Sequence, residues 1–294
     1  MANERLQVDD DFDAADGKLD ARWKQIVPGD GRLEVARSSL RLVLPGARQG
    51  GYSDAQIDDY SGTGAGSSRF SWRPPLRMEV RARASHPAHP TYVSAEVSRE
   101  QRLATEQGEQ QQYLRGTAGF GFWNYPFTLS GAVIRLPDAI WFFAASPPSN
   151  MALVPGMPGW GWKAQVVHAH RWQALAAGVP TLGAVAWARL SGQEDAAARW
   201  VQRVSGAKEA TLDTSDLREW HDYTLEWRRE EARFWVDGTL VLAVPEPPPG
   251  PLGFVAWIDN QYAVATPRGA FRFGTLDSGP EWLEIDWLRI ITPL

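Results

Sequence analysis

The stretch LRMEVRARAS, residues 76–85, alternates without a break: Leu76, Met78, Val80 and Ala82 are apolar, while Arg77, Glu79, Arg81 and Arg83 are charged. Successive side chains of an extended chain point to opposite faces, so this is a strand with one face on a core and the other in water. A helix would scatter the same residues around its whole circumference. The signal recurs. HDYTLEWRREEARFWVDGTLVLAV, residues 221–244, reads as a three-stranded meander, with Asp237-Gly238 between two apolar runs supplying a tight hairpin turn. Further strands are expected at 32–44, 51–60, 91–99, 117–124, 130–135, 139–145, 162–169, 251–258, 269–274 and 282–291. Many short strands punctuated by Gly and Pro make an all-β sandwich or jelly roll.

One segment departs from this pattern. HRWQALAAGVPTLGAVAWARLSGQEDAAARWVQR, residues 170–203, is rich in Ala, Leu, Gln and Arg, and Pro180 and Gly192 divide it into short helical pieces. A helical insertion at about 170–205 is therefore expected between two strands, as a lid or a packing cap. Strands flank every loop, so 1–294 reads as a single domain. The chain has no cysteine, which excludes disulfide frameworks, cysteine metal sites and thiol nucleophiles. A formal net charge of -5 argues against a nucleic-acid partner, which needs a clustered basic excess. No apolar run is long enough to span a membrane as a helix. The opening MANERLQVDDDFDAADG has no basic or apolar leader pattern, giving the expectation of a cytoplasmic protein. The 15 Trp are more than a core alone absorbs, because each ring also brings an N–H that needs a partner.

The run WHDYTLEWRREEARFWVDGTLV (220–241), followed near the end by LEIDWLRI (283–290), resembles laminarinases and other members of glycoside hydrolase family 16. The resemblance implies a concanavalin A-like jelly roll of two curved antiparallel sheets, with a substrate cleft on the concave one. PPLRMEVRARAS and GTAGFGFWN stand where the family has concave-sheet strands. Activity in that family rests on a strand reading E-[IL]-D-x-x-E, whose alternation lines nucleophile, helper and acid/base along the cleft. That strand should lie in GTAGFGFWNYPFTLSGAVIRLPDAIWFFAAS (116–146), whose only carboxylate is Asp138. Glu284 and Asp286 in LEIDWLRI begin the motif but do not finish it, and they lie in the family's last strand. They read as its outward acidic trim. The resemblance also implies a structural calcium near there, for which Asp286 and the DDDFD run (9–13) are the candidates; a solvated acidic face is the competing reading. No other cofactor is expected.

Binding residues follow from rings beside amides, since rings stack on apolar faces and amides fix orientation. GFVAWIDNQYAVATPRG (253–269) offers Trp257, Asp259, Asn260, Gln261 and Tyr262, unless Asp-Asn merely makes a turn. In GFGFWNYPF (119–127), Gly119 and Gly121 share a strand face with Trp123, next to Asn124. They form a trough for a ligand or for another piece of the protein. In DAIWFFAASPP (138–148), Trp141 and Phe143 share one face and Ile140 and Phe142 the other, as in a strand buried between layers, with an aromatic reaching the cleft. VHAHR (167–171) puts His168 and His170 on one face, for acid–base work rather than metal, since no third ligand is near. Asp58, Asp59, Tyr60 and Glu96 are lesser candidates. These features predict a non-hydrolytic protein holding a carbohydrate or other small molecule in an aromatic-lined cleft. The alternative is an intracellular enzyme acting on a small, partly apolar molecule in the same cleft.

Overall fold

The computed structural model describes residues 4–14, 17–35, 38–61, 69–91, 112–124, 138–150, 154, 157–168, 206–265 and 271–293. The strands, numbered in chain order, form two large antiparallel sheets. Sheet I runs β13 (Thr239–Pro245), β12 (Glu231–Val236), β11 (His221–Trp227), β6 (Leu76–Ala84), β17 (Glu281–Pro293), β4 (Leu40–Leu44) and β3 (Arg32–Val35), with β1 (Glu4–Asp10) added to β17. Sheet II runs β10 (Lys208–Thr211), β9 (Gly161–His168), β8 (Asp138–Ala145), β7 (Thr117–Trp123), β14 (Gly253–Asp259), β5 (Asp54–Asp58) and β2 (Lys24–Ile26). A small hairpin, β15 (Gln261–Ala265) and β16 (Phe271–Thr275), extends from the end of β14. The order is far from sequential in both sheets, as a jelly roll requires.

The alternation read from residues 76–85 is what β6 does: its residues are buried and half-buried in strict turn. The β12–β13 turn matches its sequence signal, with φ of 49° at Asp237 and 74° at Gly238. Among the described residues there is no helix. The helical insertion expected at 170–205 falls outside them, as do the strand expected at 130–135, nearly all of that at 91–99, and the candidates His170 and Glu96. The structure also separates two strands that the resemblance put in one sheet, the concave one: β6 is central in sheet I, and β7 is central in sheet II.

The core is the layer between the sheets. Phe120 and Phe122 of β7, Phe142 of β8 and Phe254 of β14 point inward from sheet II. Tyr223 and Trp227 of β11 and Phe234 of β12 meet them from sheet I. Ring centroids lie 5.0 Å apart for Phe142–Tyr223, 5.1 Å for Phe120–Tyr223, 5.4 Å for Phe142–Phe234 and 5.6 Å for Phe122–Trp227. Tilted and edge-on aromatic contacts at such distances add to the burial itself. The Trp227 indole N–H donates to Pro248 O at 2.9 Å, so its one polar atom is not stranded.

On the outward face of sheet I, Glu284 is not the solvated trim its sequence suggests. It is buried, because its carboxylate accepts from Ser39 Oγ at 2.8 Å and from the guanidiniums of Arg41 and Arg83 at 3.0 and 2.9 Å. Burial pushes its pKa up, but these bonds outweigh it and the net direction is down. Trp282 and Trp220 stack on the same two arginines, at 4.7 Å for Arg41–Trp282 and 4.5 Å for Arg83–Trp220. A bulge between Ile285 and Trp287 takes Asp286 out of register, to an ion pair with Arg81 at 3.5 Å. Asp9 and Asp11 are held by Arg289, at 2.9 and 3.6 Å.

Truncating Trp227 to Ala should cost about 3–5 kcal/mol, as for other large core rings, whereas Leu240→Ala on the exposed hairpin should stay within roughly 0.5 kcal/mol. Urea denaturation of the two variants checks this; an unmoved midpoint for Trp227→Ala would show that the interlayer packing is misassigned.

Candidate functional site

Because Phe120, Phe122, Phe142 and Phe254 are committed to the core, their neighbours must point the other way. The outward face of sheet II therefore carries Thr117, Gly119, Gly121 and Trp123 from β7. It carries Ala139, Trp141, Phe143 and Ala145 from β8, and Gly253, Val255, Trp257 and Asp259 from β14. The rings form one continuous patch. Trp141 stacks on Phe143 with centroids 5.5 Å apart, and lies 5.3 Å from Trp123 and 5.2 Å from Trp257.

The two glycines make that patch possible. A Cβ on Gly119 would lie 2.3 Å from Phe142 O and 3.1 Å from the Trp257 ring, and one on Gly121 would lie 2.6 Å from Trp141 Cα. The trough predicted from their missing side chains exists, and the protein's own rings lie in it.

Each buried indole is fixed through its N–H by a polar chain that ends on a carboxylate. On one side, Trp141 Nε1–H donates to Gln165 Oε1 at 2.9 Å, and Gln165 donates to Glu209 at 2.7 Å. Glu209 is also paired with Lys163 Nζ at 3.0 Å, and this ammonium donates to Pro158 O as well. Burial pushes the Lys163 pKa down, with Glu209 opposing. On the other side, Trp257 Nε1–H donates to Thr117 Oγ1 at 2.9 Å, and Thr117 donates to Asp259 Oδ1 at 2.8 Å. Rings locked in this way are preorganised surfaces rather than mobile ones.

Asp259 lies directly opposite Asp54 in the β14–β5 register, and Asp58 lies four residues further along the same face. Tyr52 OH donates to Asp54 Oδ2 at 3.0 Å, while Asp54 Oδ1 is buried with no hydrogen-bond partner. Among the described residues no cation is paired with either carboxylate. Burial pushes Asp259 up to about 6, and burial followed by the Asp259 charge pushes Asp54 well above the usual carboxylate range. Two such neighbours titrate as a unit, and burial favours their protonated forms.

The sequence-derived candidates divide as follows. Trp123, Trp141, Trp257 and Asp259 share this face, and Gln261 borders it, its backbone N–H donating to Asp259 Oδ1 at 3.0 Å. Tyr262 covers Gly274 on the hairpin. Asn260 is fully buried, its amide spent on Ser53 N, Gly51 O and Leu276 O. Asn124 Oδ1 accepts the Asp138 N–H at 2.9 Å, and His168 is opposite Asp138 at the strand end, on the side away from Trp141. Asp59 bonds Phe254 N and Trp72 behind the face. Lys163, Gln165, Glu209, Asp54 and Thr117 were not among the candidates. The alternating Lys and Gln of WKAQVVH were a visible sign of polar positions on one face of a buried strand.

No protein-family model matches the chain, and no curated protein matches it in sequence. Solved structures do. An endo-acting O-glycanase that members of the human gut microbiota express to initiate mucin breakdown is 14% identical, with a TM-score of 0.50 over 97% of this chain and 98% of that one. A GlcNAcα1-4Gal-releasing endo-β-galactosidase from Clostridium perfringens is 14% identical, with a TM-score of 0.52 over 100% of this chain and 63% of that longer one. SCLam, a non-specific endo-β-1,3(4)-glucanase from family GH16, is 12% identical, with a TM-score of 0.48 over 99% of this chain and 92% of that one. These likenesses show the fold alone, a jelly roll of two large antiparallel sheets, as the resemblance read from the sequence implied.

The acid pair makes stability depend on pH in a defined direction. With folded-state pKa values raised, the native state binds more protons than the unfolded chain above about pH 4, so stability falls as pH rises through about 6. Asp59 and Glu281, pushed up to about 6 and about 8 by burial, act in the same sense. Asp54→Asn should therefore raise the urea midpoint at about pH 8 and leave it unchanged at about pH 4. Equal shifts at both pH values would contradict the raised pKa of Asp54.

Proposed function

We propose that the chain binds a carbohydrate on the aromatic face of sheet II and does not cleave it. The observation that carries this is the outward side of β8. β8 follows β7 where the resemblance places the E-x-D-x-x-E strand, and it presents Ala139, Trp141 and Phe143 there. Retaining glycoside hydrolysis needs two carboxylates about 5–5.5 Å apart across the scissile bond. β8 offers two rings and a methyl group instead.

What remains is chemistry suited to holding a sugar. Locked indoles supply flat apolar surfaces, and side-chain amides and hydroxyls beside them supply hydrogen bonds. The face meets solvent where Trp123, Gln56 and Thr117 are half-buried. Among the described residues no helix is long and apolar enough to cross a membrane. The similar structures are described as acting on mucin and as releasing GlcNAcα1-4Gal, so glycans containing those units are the first probes.

Calorimetry with mucin-type, galacto- and laminari-oligosaccharides should detect binding to at least one. A reducing-end assay on the same sugars should detect no products. Trp123→Ala should weaken binding about tenfold, the loss of roughly one stacked ring, with little change in stability because Trp123 is half-exposed. Trp257→Phe keeps a ring in the trough and should weaken binding less. Release of reducing ends would end the non-hydrolytic reading, and undiminished binding by both variants would move the site elsewhere.

A further inference from the structure

We infer that the Asp54–Asp259 end of the aromatic face accepts an organic ammonium group, carried by an amino sugar with a free amine or by a polyamine. This rests on the reading of that face as a ligand surface and names the ligand chemistry it selects.

The charge balance of the face points this way. Its buried cation, Lys163, is consumed at the far end by Glu209. At the near end, Asp54, Asp58 and Asp259 share one face of two adjacent strands. The only cation acting there among the described residues is the exposed Lys24, directed at Asp58. Asp58 is satisfied by Tyr60 N at 3.0 Å and Gln56 Nε2 at 2.8 Å. Asp54 is not: it is 2% exposed and its Oδ1 has no partner, in a protein that gives Glu284 and Glu209 full sets of donors. A buried acceptor without a donor is costly, and a buried carboxylate without a cation more so.

An ammonium supplies both missing elements. Its N–H groups reach the open oxygen, and its charge offsets the carboxylates in a site of low dielectric. The Trp257 indole next to Asp259 on β14 adds a face that attracts cations. The approach is over the half-buried Tyr52, Gln56, Thr117 and Gln261, which ring the pair and offer hydroxyls and amides to the hydroxyls of a sugar.

The test is calorimetry with four probes on the intact chain: a trisaccharide of glucosamine, its fully N-acetylated counterpart, cellotriose and spermidine. The glucosamine trisaccharide should bind roughly tenfold or more tightly than the acetylated and neutral sugars. Its affinity should rise as pH increases through about 6, where Asp259 loses its proton. Asp54→Asn should abolish the preference, bringing the glucosamine trisaccharide down to the affinity of the neutral sugars. Spermidine binding as tightly as the trisaccharide would support ammonium recognition with a polyamine as its source. If the neutral sugars bind as well as the amine, the inference is overturned and the aromatic-face reading stands. If no probe binds the folded protein, the inference is overturned, and the aromatic-face reading falls with it only where the mucin-type, galacto- and laminari-oligosaccharides also fail to bind.

Discussion

The structure depends on six rings that meet between the sheets: Phe120, Phe122 and Phe142 from sheet II against Tyr223, Trp227 and Phe234 from sheet I. They do more than fill the core. A strand has only two faces, so fixing which residues are inside fixes which are outside. With Phe120, Phe122 and Phe142 inside, Gly119, Gly121, Trp141 and Phe143 are outside and in register with one another. A slip of one residue in β7 would put the glycines in the core and leave a void where two phenylalanines belong. The outward face is thus set by the inner one, and the aromatic patch needs no separate mechanism to assemble it.

That coupling explains what could be read from the sequence. β6 and the β11–β13 meander carry their period and their turn within about 25 residues, so local alternation was enough to place them. β8 was legible as doubly apolar, but its two faces could not be ranked until β11 and β12 claimed Phe142. The short strands β1, β2 and β10 have little alternation and exist because a neighbour offers an edge. Polar partners were hardest to see. Asp54 and Asp259 meet across a register joining distant parts of the chain, and Lys163 finds Glu209 across the β9–β10 pairing. Asn260 has the side chain of a ligand-binding residue, and three backbone groups on two segments already use it.

The two outward faces handle charge in opposite ways. On sheet I, Glu284 is buried under Arg41 and Arg83, Asp286 pairs with Arg81, and Asp9 and Asp11 pair with Arg289. The guanidiniums also stack on Trp282, Trp220 and Trp287, so rings and charges on this face satisfy each other. These contacts account for the acidic residues of the final strand: LEIDWLRI is part of a closed lattice on the side of the molecule away from the aromatic patch. On sheet II, one relay is closed by Lys163, and the other ends on Asp259 beside an Asp54 with an open oxygen.

Among the described residues, this asymmetry differs from the arrangement that retaining glycoside hydrolysis needs. A glycosidase must keep two carboxylates in the middle of its cleft with pKa values pushed apart, one to give a proton and one to attack. Here the middle of the face is indole and phenyl, which lower the local dielectric and would raise the cost of any charge placed among them. Among the described residues the carboxylates of this face stand at its two ends: Glu209 paired with a buried lysine, Asp259 beside Asp54 with both pKa values raised by burial. Through Gln165 and Thr117 each of them orients an indole. In this arrangement the acids hold the buried rings in place.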